Sequence, residues 1–131
     1  HRVLLLLDLS HNLIKNFTYS KIKLYSKLEI LNLGFNYLEF LPQDFLLSLI
    51  WLIDLNLSNN FIKFFHSNSF KMKTFLEYLY INNNQIDFLH EDTFLDMNGL
   101  IELDLSSNKL KELNESIFKN LIILEYLNLS K

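Results

Sequence analysis

The sequence predicts a solenoid of the α/β type that is mostly β: a curved, horseshoe-like segment. A parallel sheet lines its concave face, and its convex side has little or no helix. Two observations predict this fold. The first is a constant period of 24 residues: the pattern that begins at Leu4 begins again at Leu28, Leu52, Leu76 and Leu100. The second is that equivalent positions of each copy carry leucine or another apolar residue. Internal periods of roughly 20–50 residues are typical of solenoids and related repeat arrays.

Composition sets the outer limits. The chain has 131 residues, with 12 Lys and Arg against 15 Asp and Glu, and no cysteine. This length allows one domain or one piece of a larger one. The missing cysteines exclude a disulfide scaffold and a thiolate metal site. The net charge of −3 argues against a dedicated nucleic-acid binder, which usually carries a basic excess.

The repeats define one continuous segment over residues 1–131. Residues 4–14, 28–38, 52–62, 76–86 and 100–110 align without a gap, and a sixth copy, 124–131, is partial. Of 38 apolar template positions, 37 carry an apolar residue. Lys73 is the exception, and we expect it to lie with most other lysines on the loops and outer side.

Each repeat predicts one short strand. In the Leu-x-Leu motif the two leucines point to one side and the variable residues to the other, because strand side chains alternate. The apolar side chains of a single repeat cannot offset the entropy lost in ordering it. Stacked neighbours complete the burial and pair the strand backbones, so the stable object is a solenoid.

One asparagine per repeat predicts an internal ladder. An amide donates and accepts, so it can satisfy backbone groups that lose their sheet partners where the chain bends. A ligand-binding role for this row is the alternative, and it is disfavoured because buried polar groups must be paired. The row consists of Asn12, Asn36, Asn60, Asn84 and Asn108.

The pattern LxxLxLxxNxLxxL, followed by xxxxF with Phe70, Phe94 and Phe118, resembles the leucine-rich repeat family. The 24-residue length resembles its extracellular class, found in Toll-like receptor ectodomains and small matrix proteoglycans. This resemblance implies a non-catalytic part of an extracellular receptor ectodomain, with an innate-immune, Toll-like type favoured. It implies a cell-surface or extracellular location, with the endosomal lumen as an alternative. Extracellular members usually carry cysteine-rich caps, so this uncapped segment is expected to belong to a longer array.

A cluster of variable strand positions is the candidate binding site. Two tyrosines lie on one predicted strand, two acids on the next and a third tyrosine on the one after. Aromatic residues among charges are favoured at protein interfaces. We predict a contact patch for a protein or microbial-type ligand that is basic or rich in donors; an accidental cluster is the alternative. The patch comprises Tyr78, Tyr80, Glu102, Asp104 and Tyr126.

Four N-x-S/T sequons predict glycosylation, at Asn16, Asn56, Asn114 and Asn128. The template itself generates those at Asn56 and Asn128, because Asn between the leucines of Leu-x-Leu-Ser creates a sequon automatically. Asn16 and Asn114 are therefore the stronger indications of a secreted protein.

Catalytic signatures are missing from the sequence. It has no phosphate loop, no nucleophile elbow and no HExxH motif. We predict a protein that is not an enzyme, with no metal and no cofactor. Nucleic acid is disfavoured as a partner, a homodimer or heterodimer is allowed, and membrane attachment would need a segment outside this chain. An adhesion or matrix protein and an intracellular scaffold are the alternative functions.

Overall fold

The computed structural model of the chain describes residues 3–17 and 19–131. One parallel sheet of six three-residue strands runs through it, and the strands follow one another in chain order. The predicted fold, a mostly β solenoid with almost no helix, is confirmed. The strands are β1 (Leu6–Asp8), β2 (Ile30–Asn32), β3 (Asp54–Asn56), β4 (Tyr78–Tyr80), β5 (Glu102–Asp104) and β6 (Tyr126–Asn128).

Neighbouring strands pair with a constant offset of one repeat. Leu7 pairs with Leu31, and Leu31 with Leu55. Backbone hydrogen bonds extend the pairing beyond the strand ends. For example, the amide of Leu57 donates to the carbonyl of Tyr80 at 2.8 Å. A step of one repeat along the chain therefore leads to the same position on the next coil.

The core is a stack of leucine rows. Leu31, Leu55, Leu79 and Leu103, the central residues of β2 to β5, are completely buried. The side chains before and after each central leucine point to the concave surface, because alternation sends them to the opposite face. The sheet therefore presents two variable residues from each strand to the concave side.

The convex side consists of turns and short helical segments. A four-residue helix, α1 (Tyr19–Ile22), leads into a 3-10 turn at Lys23–Tyr25, and a second 3-10 turn spans Glu115–Phe118. Phe70, Phe94 and Phe118 line up beneath this side, with ring centroids 6.4 and 6.3 Å apart. These aromatic rings fill the convex core where a helix would otherwise pack.

Lys73 does not lie on the outer side as expected; its side chain is completely buried. It keeps the apolar phase of the repeat, so its aliphatic stem takes the place of a core side chain. Its Nζ donates to the carbonyl of Lys71 at 3.1 Å. Burial lowers the pKa of Lys73 to about 8, and the negative charge of Asp96 opposes the change. The expectation was wrong because the phase of the template, and not the polarity of the residue, decides its place.

The residue before each ladder asparagine adopts a left-handed backbone conformation. Its φ lies between 52° and 56° in every repeat, at His11, Phe35, Asn59, Asn83 and Ser107. Asparagine tolerates this region, whereas other side chains with a Cβ are strained in it. The strain is therefore unequal among repeats with the same backbone.

Replacing Ser107 by asparagine is expected to raise the free energy of unfolding by about 0.5–1 kcal/mol, because asparagine relieves the left-handed strain. Asn83→Ser is the matched control. It places serine at the same position of the preceding coil and should lower stability by a similar amount. Urea denaturation of both variants checks the pair. Shifts of the same sign in both variants would contradict the explanation.

Candidate functional site

The predicted contact residues share one face of the sheet. Tyr78 on β4, Glu102 on β5 and Tyr126 on β6 are direct partners in the register. Tyr80 and Asp104 form the parallel row two residues further along. Tyr126 is exposed and the other four are half-buried. The structure therefore places all five on the concave surface.

Asp54 on β3 belongs to the same cluster, although it is not among the residues predicted from the sequence. It pairs directly with Tyr78 and is half-buried. Its pKa is raised, first by burial and then by the negative charge of Glu102. The available signal was its phase, since Asp54, Tyr78 and Glu102 occupy the same position in three successive repeats. We call Asp54, Tyr78, Tyr80, Glu102 and Tyr126 the concave patch.

Burial and two neighbouring carboxylates determine the electrostatics of the concave patch. Burial, followed by the charges of Glu102 and Asp54, raises the pKa of Tyr80 to about 12. The phenol therefore stays neutral at physiological pH and keeps a donor hydrogen. The two carboxylates disfavour each other on a partly dehydrated surface. Tyr78 lies between the two acids in the register, and a cation bound over this row would relieve their repulsion.

Asp104 has a structural role at the end of its strand. Its Oδ1 accepts from the amide of Ser106 at 2.9 Å, and its Oδ2 accepts from Asn128 Nδ2 at 3.4 Å. The first bond recurs as an Asx turn at most strand ends, and it holds the chain as it leaves the strand. The sequence signal was Asp or Asn followed two residues later by Ser or Gly. The residues that accept in this way are Asp8, Asn32, Asn56, Asp104 and Asn128.

The asparagine row makes its hydrogen bonds inside the solenoid. Asn60 Nδ2 lies 3.0 Å from the carbonyl of Leu33 and 3.1 Å from that of Leu57. Asn60 Oδ1 accepts from the amide of Leu38 at 3.0 Å. Asn36, Asn84 and Asn108 repeat this arrangement, whereas the exposed Asn12 donates to carbonyls of its own coil. The side-chain amides of the inner four are therefore engaged with backbone groups inside the solenoid.

The four sequon asparagines lie in two environments. Asn16 and Asn114 are exposed, whereas Asn56 and Asn128 are half-buried on the concave face. The amide nitrogen of Asn56 would be 3.3 Å from a Cβ at Gly34, so these two residues of neighbouring coils lie side by side. Thr18, the third residue of the Asn16 sequon, lies outside the described residues.

Within residues 3–17 and 19–131, no group of three or more His, Asp or Glu side chains is arranged to hold a metal ion. Over the same part of the chain, no helix reaches the length and apolarity needed to cross a bilayer.

Comparisons with known proteins agree with this geometry. A family model described as leucine rich repeat matches residues 74–131. A crystal structure of the complex of TLR13 with ssRNA13 is similar, with a TM-score of 0.88 and 30% identity over 95% of this chain and 18% of that one. A structure of an LRR protein from Leptospira interrogans has a TM-score of 0.85 and 27% identity over 95% of this chain and 30% of that one. No curated protein sequence matches the chain. The chain thus spans less than a third of either similar structure.

Proposed function

We propose, because this chain belongs to the leucine-rich repeat family, that it is a non-catalytic recognition module whose concave patch binds a basic protein surface. The observation that carries the proposal is that two half-buried carboxylates, Asp54 and Glu102, lie on one face of the sheet on either side of Tyr78. Burial, and then the negative charge of Glu102, raises the pKa of Asp54. Tyr78 and Tyr126 supply aromatic contact area beside the charges. Aromatic residues of this kind dominate the energetics of many interfaces.

The nature of the partner follows from the sign of this charge. TLR13 in the similar structure is bound to RNA, but phosphates would be repelled by the carboxylates of the concave patch. Lysine or arginine side chains would instead pair with them and restore their lost solvation. We therefore favour a protein ligand with exposed basic residues over a nucleic acid.

For the whole protein, we propose an extracellular receptor ectodomain of the Toll-like type, with this chain as part of a longer array. Three features support it: the 24-residue repeat, the similarity to the TLR13 structure, and the exposed sequons at Asn16 and Asn114. An adhesion or matrix protein is the second candidate, because extracellular repeats of this length also serve in assembly. Glycan at neither sequon would favour an intracellular scaffold.

The binding proposal is tested with a defined probe, a peptide of ten lysines, and a ten-glutamate peptide for comparison. Glu102→Gln is expected to weaken lysine-peptide binding by about tenfold, the equivalent of about 1.4 kcal/mol. Tyr80→Ala should weaken it as well, because the ring and its donor are lost. Isothermal calorimetry at low salt gives the affinities.

Glu112→Gln is the matched control for charge. Glu112 is exposed and lies outside the concave patch, so this variant should bind the lysine peptide as the parent does. Equal losses in Glu102→Gln and Glu112→Gln would show attraction by net charge alone and would contradict the assignment of the site. Stronger binding of the glutamate peptide would contradict it too.

A further inference from the structure

A row of exposed phenylalanines runs along the flank of the solenoid, away from the concave patch. Phe40, Phe64 and Phe88 occupy the same position on successive coils, and their side chains are 42%, 43% and 64% exposed. The rings of Phe40 and Phe64 stack with centroids 6.5 Å apart and planes 4° from parallel. We call these three residues the phenylalanine row. Exposed apolar side chains that line up on successive coils are candidates for a contact surface.

The charges beside the phenylalanine row are balanced. On each of five coils, one charged residue comes directly before the position that the phenylalanine row occupies. The sign of its charge alternates from coil to coil, in the order Lys15, Glu39, Lys63, Asp87 and Lys111. Lys63 Nζ and Glu39 Oε2 are 2.9 Å apart. Three positive and two negative charges give this edge no strong field of either sign, so it does not select a charged occupant. The chemistry that fits is neutral, with one apolar face and hydrogen-bonding edges.

The two exposed sequons bracket this row. Asn16 precedes Phe40 by one repeat, so it takes the same position on the preceding coil. At the other end, Asn114, Phe88, His90 and Glu112 line a cavity of about 330 Å³. Asn114 Oδ1 accepts from the amide of Ser116 at 3.0 Å. This hydrogen bond engages the side-chain oxygen of Asn114. It does not use the side-chain nitrogen, which is the atom to which an N-linked sugar is attached.

We propose that N-linked glycans on Asn16 and Asn114 fold back over the phenylalanine row, with their innermost N-acetylglucosamine rings against Phe40 and Phe88. The inference rests on the proposed extracellular function, because these sugars are added in the secretory pathway. In that transfer the amide nitrogen bonds to the anomeric carbon of a lipid-diphosphate-linked oligosaccharide, the lipid diphosphate leaves, and the amide loses one proton. A pyranose ring presents an apolar C–H face to the phenyl ring and keeps its hydroxyls in water.

The test uses the protein secreted from a eukaryotic cell line. Glycopeptide mass spectrometry should find Asn16 and Asn114 occupied and Asn56 bare. Complete removal of the glycans should raise the fluorescence of a hydrophobic-surface dye at least about threefold, because the strip becomes exposed. Trimming each glycan to one N-acetylglucosamine should leave the fluorescence unchanged. Nuclear Overhauser contacts between acetyl methyl and phenyl protons give a direct readout.

Two variants separate packing from mere attachment. In Phe40→Ser with Phe88→Ser, glycan removal should no longer raise the dye signal. Phe75→Ser is the control, because Phe75 is also exposed and stacked, on Trp51 at 5.2 Å, but has no sequon beside it. It should keep the full response. Bare Asn16 and Asn114 in the secreted protein, or no dye response to deglycosylation, would overturn the proposal. Neither of these two results would change the affinity of the concave patch for the lysine peptide, so that affinity still tests the proposed function separately.

Discussion

Replacing Asn60 by leucine is expected to lower the free energy of unfolding by about 3–5 kcal/mol, because one side chain satisfies several buried backbone groups. Its Nδ2 donates to the carbonyls of Leu33, Leu57 and Ser58. Its Oδ1 accepts from the amide of Leu38. Leucine has a similar volume but no polar atom, so these groups would lose their partners without water to replace them. Urea denaturation followed by circular dichroism measures the loss.

Asn12→Leu provides a control at the same position of the first coil. Asn12 is exposed, and its two hydrogen bonds go to the carbonyls of Leu9 and Ser10 in its own coil. Water can replace it there, so the loss should stay below about 1 kcal/mol. Equal denaturation midpoints for the two variants would refute the role given to the inner asparagines.

Lys73→Met is expected to stabilise the protein by about 3 kcal/mol at pH 7, in contrast to the destabilising Asn60→Leu substitution. Folding buries the side chain and lowers the pKa of its amine from 10.5 to about 8. At pH 7 the folded protein must either keep the Lys73 ammonium charge buried or release its proton. Both cost free energy, and methionine avoids that cost. Lys71→Met is the control, because Lys71 is exposed on the same turn and should change stability little.

The pH dependence gives this prediction a signature. Between pH 8 and pH 10.5 the unfolded chain holds the Lys73 proton more tightly than the folded one. Stability of the parent protein should therefore rise with pH across that window. The Lys73→Met variant should lack this rise, so its advantage should shrink as the pH increases. Denaturation at pH 7, 8, 9 and 9.5 suffices; parallel curves for parent and variant would contradict the assignment.

Periodicity alone was enough to predict the architecture. The repeats follow one another without insertion, so strand register, sheet order and the buried leucine rows all follow from one constant period. The regular repeat also gives the position of every residue within its coil. Tyr78, Glu102 and Tyr126 share one such position, so the sequence alone assigns them to one face of the sheet.

The remaining details depend on interactions that a repeat pattern does not encode. The phase of Asp54 was visible, but not the dehydration and repulsion that raise its pKa. Asp104 was assigned to the binding patch, while its engagement with the Ser106 amide went unrecognised. Lys73 was expected outside because lysine is usually exposed. Its long stem fits the core once the amine reaches the Lys71 carbonyl.

Titrating the side-chain carboxyl of Asp54 by NMR, with and without the ten-lysine peptide, tests the recognition site most directly. In the free protein its pKa should lie above the ordinary value of 3.8, owing to burial and to Glu102. Saturating peptide should lower that pKa, because nearby positive charges favour the carboxylate form. A pKa of Asp54 that stays the same while the peptide binds would place the binding elsewhere and contradict the assignment of the concave patch.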